Sequence, residues 1–278
     1  MTTISATLIA VRNSVACALS SRQDAIMASE SVIVRARQVW LELAGVPVTF
    51  PAEGSEVVVS ERSLLCPPGW SGIVTLGNAA IITVPAEGIA ELVRQRLGGL
   101  PVAALTQPAR VCRALPVAES LGPATLAYCD ERSFRPTDPG VMDVIPADHA
   151  DLAALLASVP SDDADECGLA EITSPAFVVR SGTHVVAAAG YRRWPGQAAH
   201  LCVLTAPRQR GRGLARVVGG AAVADALAND LLPQWRARPE PSRRVARALG
   251  FHELGTQLSI RVTGLPARRP TTPGSPAD

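Results

Sequence analysis

The chain has no lysine: all 26 of the basic residues among its 278 are arginines. That absence excludes a P-loop NTPase, a Schiff-base enzyme and any lysine general base. It also suggests a G+C-rich coding bias, so the number of arginines does not by itself mark function. Other absences narrow the field. The six cysteines (17, 66, 112, 129, 167 and 202) form no CxxC pair, and the four histidines show no HxxxH spacing. No metal site or disulfide framework is expected; reduced, buried thiols in a cytoplasmic protein are. No run approaches the roughly 20 apolar residues of a membrane span. Met1 to Ser20 is broken by Arg12 and Asn13 and lacks a basic leader, so it reads as a strand or ragged terminus and not as a signal peptide.

What is present is ample core and an uneven distribution of charge. Hydrophobic residues make up 47% and the net charge is +1, which argues against a nucleic-acid-coating protein. At roughly 150 residues per domain, the length suits one large domain or two small ones. From Pro136 to Val179 there is no arginine but nine acids; from Arg192 to Arg247 there are eleven arginines against Asp225, Asp230 and Glu240. Such a split predicts two adjacent surfaces that meet different charges.

The Pro/Gly-rich stretch 133–140, SFRPTDPG, predicts a boundary. On that basis a smaller α/β domain occupies 1–135, a second domain 141–263, and a disordered Pro-rich tail 264–278. In the second domain strands are expected at Val141–Ile145, Phe177–Arg180, His184–Tyr191, Ala198–Thr205 and Gln234–Arg238, with a strand or hairpin at Phe251–Val262. Helices are expected at Pro146–Ser158, Leu214–Leu231 (stopped by Pro233) and Ser242–Leu249, and a loop with a short helix at Ser161–Ile172. In the first half Ser31–Ala44, Glu87–Leu97 and Gln107–Leu115 read as helices, and Val57–Val59, Gly72–Leu76, Ala80–Val84 and Thr125–Cys129 as strands. The whole is an α/β protein of α+β type, a mixed central sheet flanked by helices, whose first half echoes the second as a candidate degenerate repeat.

The chemically informative segment is Thr205-Ala-Pro-Arg-Gln-Arg-Gly-Arg-Gly-Leu-Ala215. An apolar strand enters a loop with two glycines and three arginines, and a helix starts at once. Gly211 and Gly213 let main-chain N–H groups converge, and the helix start adds its own free donors and dipole, which suits a pyrophosphate.

Arg208-Gln-Arg-Gly211-Arg-Gly213 resembles the R/Q-x-x-G-x-G/A loop of the GCN5-related N-acetyltransferase (GNAT) superfamily. The preceding Ala198–Thr205 resembles its splayed fourth strand, and Ser242 to Phe251 its closing helix with a Gly-Phe ending. The resemblance covers roughly Val141 to Val262. It implies an acetyl-CoA-dependent N-acetyltransferase whose acceptor, a small or peptide primary amine, attacks the thioester directly. No metal, nucleic acid or membrane is involved, and the first half is a candidate dimerisation surface. The amides of Gln209, Arg210, Gly211, Arg212, Gly213, Leu214 and Ala215 would hold the pyrophosphate, with Arg208, Arg210 and Arg212 adding charge. Val203 and Thr205 would bind the pantetheine arm, one of them polarising the thioester carbonyl. Ser242 would cap the last helix and touch the cofactor. The family's tyrosine acid falls at Ala246 and its asparagine at Pro239, so the usual acid is missing. His200, Glu166, Glu171 and Ser242 are the candidate catalytic groups. Tyr191 and Trp194 would wall the acceptor site or simply pack, and the acidic stretch would attract a cationic amine. The alternative is a non-catalytic acyl-CoA-binding regulatory or interaction protein, which the loss at Ala246 favours.

Overall fold

A computed structural model describes residues 31–138 and 140–263. The expectations for Met1–Ser20 and for the tail from Gly264 lie outside the described residues. Ten strands form one sheet in the order β1-β3-β2-β10-β4-β9-β8-β7-β6-β5. They are β1 (Gly54–Val59), β2 (Ser71–Leu76), β3 (Ala79–Val84), β4 (Val117–Tyr128), β5 (Asp143–Ile145), β6 (Ala176–Ser181), β7 (His184–Trp194), β8 (Ala198–Thr205), β9 (Leu232–Ala237) and β10 (His252–Val262). Neighbours run antiparallel except β1 with β3 and β8 with β9. The β8–β9 pair is joined through a helix, the crossover that parallel strands require.

Continuous apolar runs mark the strands covered on both faces. SGIVTL in β2 and AAIITV in β3 are buried at every position. Val74, Leu76 and Ile81 pack under helix α1 (31–43) on one face, while Ile73, Ala80 and Ile82 pack under α2 (Glu87–Leu97) on the other. Alternation along β8 repeats this two-sidedness. Leu201 lies in the cluster with α6 (Leu214–Ala228), and Cys202 and Leu204 lie in the cluster with α4 (Ala150–Ala157). Helices α3 (Pro108–Ala114) and α7 (Glu240–Ala248) share the α6 face; α5 (Ser161–Cys167) lies against β8 on the α4 face.

Several expected boundaries move: β4 begins at Val117 instead of Thr125, α4 at Ala150 instead of Pro146, and β7 runs on to Trp194. Helix α6 stops at Ala228 instead of Leu231, because Asp230 takes a left-handed φ of 57°. Pro233 is not the stop; it lies inside β9, where its carbonyl accepts the Cys129 amide at 3.2 Å. The segment 251–262 forms one strand, β10, and not a hairpin. It is hydrogen-bonded to β2 on one side and β4 on the other. The sheet is therefore continuous across 133–140, with β4 from before that stretch seated between β9 and β10 from after it.

Candidate functional site

The site grows from a parting of two strands. β7 and β8 pair along eight residues, but β8 and β9 share only three rungs: Ala198 with Leu232, Ala199 with Pro233, His200 with Gln234. Beyond Gln234, β9 keeps its pairing with β4, up to Ala237 opposite Thr125, and leaves β8. The result is a fork, and ladder arithmetic decides what faces it. The Ala206 amide donates to the Val186 carbonyl at 2.9 Å, so 186 and 206 are a hydrogen-bonded pair. In an antiparallel ladder such pairs alternate. Leu204 and Cys202 therefore face β7, and the amides of Val203 and Thr205 face the open side of the fork. The Thr205 hydroxyl oxygen is buried without a partner among the described residues.

The loop that follows is an array of donors. Gly211 and Gly213 both have φ of 79°, with open space where a Cβ would stand. The amides of Gln209 and Arg210 close a short turn onto Ala206 and Pro207, and that of Arg216 bonds to Gly213. Among the described residues, no backbone carbonyl accepts from the five consecutive amides of 211–215. They sit at the N-terminus of the 15-residue α6, where the helix dipole adds positive potential. Arg210 crosses the base of the loop, donating to the Thr205 carbonyl at 3.2 Å and to Asp163 at 2.7 Å. Arg212 is held by Gln209, and Arg208 is exposed. The orphaned hydroxyl, the free amides and the Cβ-free glycines fit a ligand made of a diphosphate and an amide-bearing arm.

The candidate catalytic groups are not brought together. Ser242 lies in the first turn of α7, on the α6 face, while His200 projects from the opposite face. Ser242 does not cap α7: the cap position is Pro239, and the Ser242 hydroxyl accepts the Trp235 indole N–H at 3.0 Å. His200 is hydrogen-bonded through Nδ1 to Gln234 Oε1 and stacks on Trp194, with ring centroids 4.2 Å apart. Burial first, then Arg236 and Arg192, pull its pKa down to about 3. It is a neutral ring whose free lone pair is a poor match for a general base near neutral pH. Burial pushes the Cys202 thiol up to about 12, which removes it as a nucleophile. Tyr191 packs: its hydroxyl donates to Asp225 at 2.7 Å beneath α6.

Three of the acids expected to attract a cationic amine are already paired. Asp163 meets Arg210 at 2.7 Å, Glu166 meets Arg238 at 2.8 Å, and Glu171 meets Arg192. The acid-rich and arginine-rich stretches thus face one another across the fork. What sequence reasoning missed is Arg236, which follows Gln234 on the His200 face of β9. It reaches over Trp194 at 6.0 Å and donates to Gln257 Oε1 at 3.3 Å. Its only sequence signal is its place in the alternation Gln234-Trp-Arg236. Among the described residues, no three His, Cys, Asp or Glu side chains form a metal site, and no helix is long and apolar enough to cross a membrane. A surface cleft of about 760 Å³ lies elsewhere, between the β2–β3 turn, residues 100–106 and Arg243.

Residues 174–256, from just before β6 into β10, match the family model of the GNAT acetyltransferases. The matched segment contains the fork, the glycine loop and α7. No curated protein matches the chain. Among solved structures, a GNAT-family acetyltransferase from Novosphingobium aromaticivorans is 22% identical with a TM-score of 0.42, covering 52% of this chain and 65% of its own. This chain thus spans less than two thirds of that protein. A GNAT-family acetyltransferase from Colwellia psychrerythraea is 13% identical (TM-score 0.42; 62% and 70% covered). A ribosomal-protein-alanine N-acetyltransferase from Brucella melitensis is 18% identical (TM-score 0.32; 44% and 99% covered).

Proposed function

We propose that the GNAT acetyltransferase domain of this chain transfers an acetyl group from acetyl-CoA to a primary amine. The observation that carries this reading is the run of five unpartnered amides at 211–215, set at a helix N-terminus beside the opened edge of β8. The loop amides bind the pyrophosphate of the acetyl donor, and the positive end of α6 favours its charge. The amides of Val203 and Thr205 take the amide-bearing arm as a further strand edge would, and one of them receives the thioester oxygen as negative charge develops on it. The amine comes from the His200 face and attacks the carbonyl directly; the buried thiol of Cys202 plays no covalent part. Ala246 is 2% exposed and carries no proton donor. Ser242 has its oxygen held by Trp235 and keeps its own hydroxyl proton free to donate, with water as the other proton source for the departing thiolate.

The missing acid keeps a second reading in view, a protein that binds acyl-CoA without turnover. Acetyl-CoA binding by calorimetry and thiol release with a panel of amines separate the two. Gly213→Val places a side chain at a left-handed φ in the loop and should weaken acetyl-CoA binding by about 10². Unchanged affinity in that variant would refute the loop assignment, and binding without thiol release on any amine would favour the second reading.

A further inference from the structure

Arg236 differs from three arginines near the fork, although Arg193, Arg208, Arg212, Arg216 and Arg244 likewise have no ion pair among the described residues. Arg192, Arg210 and Arg238 each have a carboxylate within ion-pair distance, as do Arg180, Arg243 and Arg247 elsewhere. No such partner meets Arg236 among the described residues. Its one recorded bond is to a neutral oxygen, Gln257 Oε1, whose amide nitrogen is itself fixed on the Leu65 carbonyl. Arg236 is exposed, with its guanidinium standing over the Trp194 ring. Desolvation by its surroundings, followed by the charge of Arg238, holds its pKa below the ordinary arginine value. A solvent-facing guanidinium with no carboxylate beside it among the described residues can meet an anionic ligand.

A second observation on the same strand face points the same way. Gln234 is fully buried, and its Nε2 has no hydrogen-bond partner among the described residues. An unsatisfied buried donor calls for an acceptor that the described residues do not supply. Gln234 and Arg236 alternate along β9 just where it leaves β8. Continued past its last rung, the register would set Arg236 opposite Cys202, one residue from the Val203 amide. Between them, Trp194 stacks on His200 at 4.2 Å and lies under Arg236 at 6.0 Å. Because Nδ1 of His200 donates to Gln234, the other ring nitrogen is an acceptor. Anion-binding donors and an amine-binding acceptor therefore border one aromatic platform.

We propose that the acceptor is an amine bearing a carboxylate close to its amino group, a free α-amino acid, and that Arg236 with Gln234 binds the carboxylate. This rests on the acetyl-transfer reading above. Planar two-point pairing with a carboxylate is what a guanidinium does best, and the orphan amide supplies a further donor. Three carboxylates of the acidic stretch, Asp163, Glu166 and Glu171, are held by Arg210, Arg238 and Arg192. A peptide N-terminus, which lacks the adjacent carboxylate, is a poor fit.

The test is thiol release from acetyl-CoA by the full chain with L-amino acids, the corresponding amino-acid amides and the decarboxylated amines. The acids should exceed both other sets in kcat/KM by about 10². Arg236→Met should remove that preference, lowering kcat/KM for the acids by about 10² and leaving the amides unchanged; Arg236→Lys, with charge but no planar fork, should fall between. The substrate comparison within the unaltered protein holds even where a variant is impaired in folding. Amides or decarboxylated amines that match the acids would overturn the inference while leaving acetyl transfer intact. So would an Arg236→Met variant that slows both classes equally. If acetyl-CoA binds but no amine of any set releases thiol, the transfer reading fails. Calorimetric binding of N-acetyl amino acids to the CoA-saturated protein then decides: binding weakened about tenfold or more by Arg236→Met supports the carboxylate site, and no binding ends it.

Discussion

Lowering the pH should destabilise this protein through His200. An unfolded imidazole titrates near 6.5, whereas the folded one, buried beside Arg236 and Arg192, titrates near 3. The unfolded chain thus binds the extra proton first. The stability held by the neutral ring is complete above about pH 6.5 and is lost as pH falls toward 3. Taking those two values, passing from about pH 8 to pH 5 removes roughly 2 kcal/mol, an order-of-magnitude figure, from this residue alone. Urea unfolding of the parent and of His200→Gln at several pH values isolates this contribution, since every other ionisable side chain is common to both proteins. Glutamine cannot take up the proton. The variant should be less stable than the parent near pH 8, where it lacks the stacked ring, and that deficit should shrink by roughly 2 kcal/mol by pH 5. A difference between the two proteins that stays constant across the range would refute the claim that this ring is held neutral.

Two further outcomes follow from packing. Tyr191→Phe deletes the donor to Asp225 and should lower unfolding free energy by about 1–2 kcal/mol, read in denaturant, with little effect on acetyl-CoA binding. Gly250→Ala places a Cβ 1.9 Å from the Ser133 carbonyl at a φ of 94°; a loss of about 3 kcal/mol or more in thermal unfolding is expected, and a variant as stable as the parent would show that the 133–135 segment is not held against this turn.

Local pattern made some elements readable and tertiary pairing hid others. The bounds of α2 and β8 follow from the sequence alone, because the apolar spacing of 87–97 and the apolar run of 198–205 are each bounded by turn residues. Helix α6 extends on paper to Leu231, since nothing in Asn229-Asp230 announces the left-handed turn that ends it. Pro233 looked like a helix stop and proved to be a strand residue, tolerated where its carbonyl, not its absent N–H, carries the bond. The fate of 251–262 depends on partners more than a hundred residues away, which no local pattern encodes. In the site, the glycine loop was legible because its chemistry is written in consecutive residues. The unpaired state of Arg236 was not. As one arginine among eleven, it is told from Arg192, Arg210 and Arg238 only when Glu171, Asp163 and Glu166 are seen to go to them.

The placement of β10 has a consequence for how the molecule is made. Thr256 bonds with Thr75 across a separation of 181 residues. At roughly 5–20 residues per second, β2 leaves the ribosome with the edge that β10 will occupy open for about 9–36 s. The apolar strands of the first half are therefore held in waiting until the second half has been synthesised, and the sheet can close only as one act of assembly.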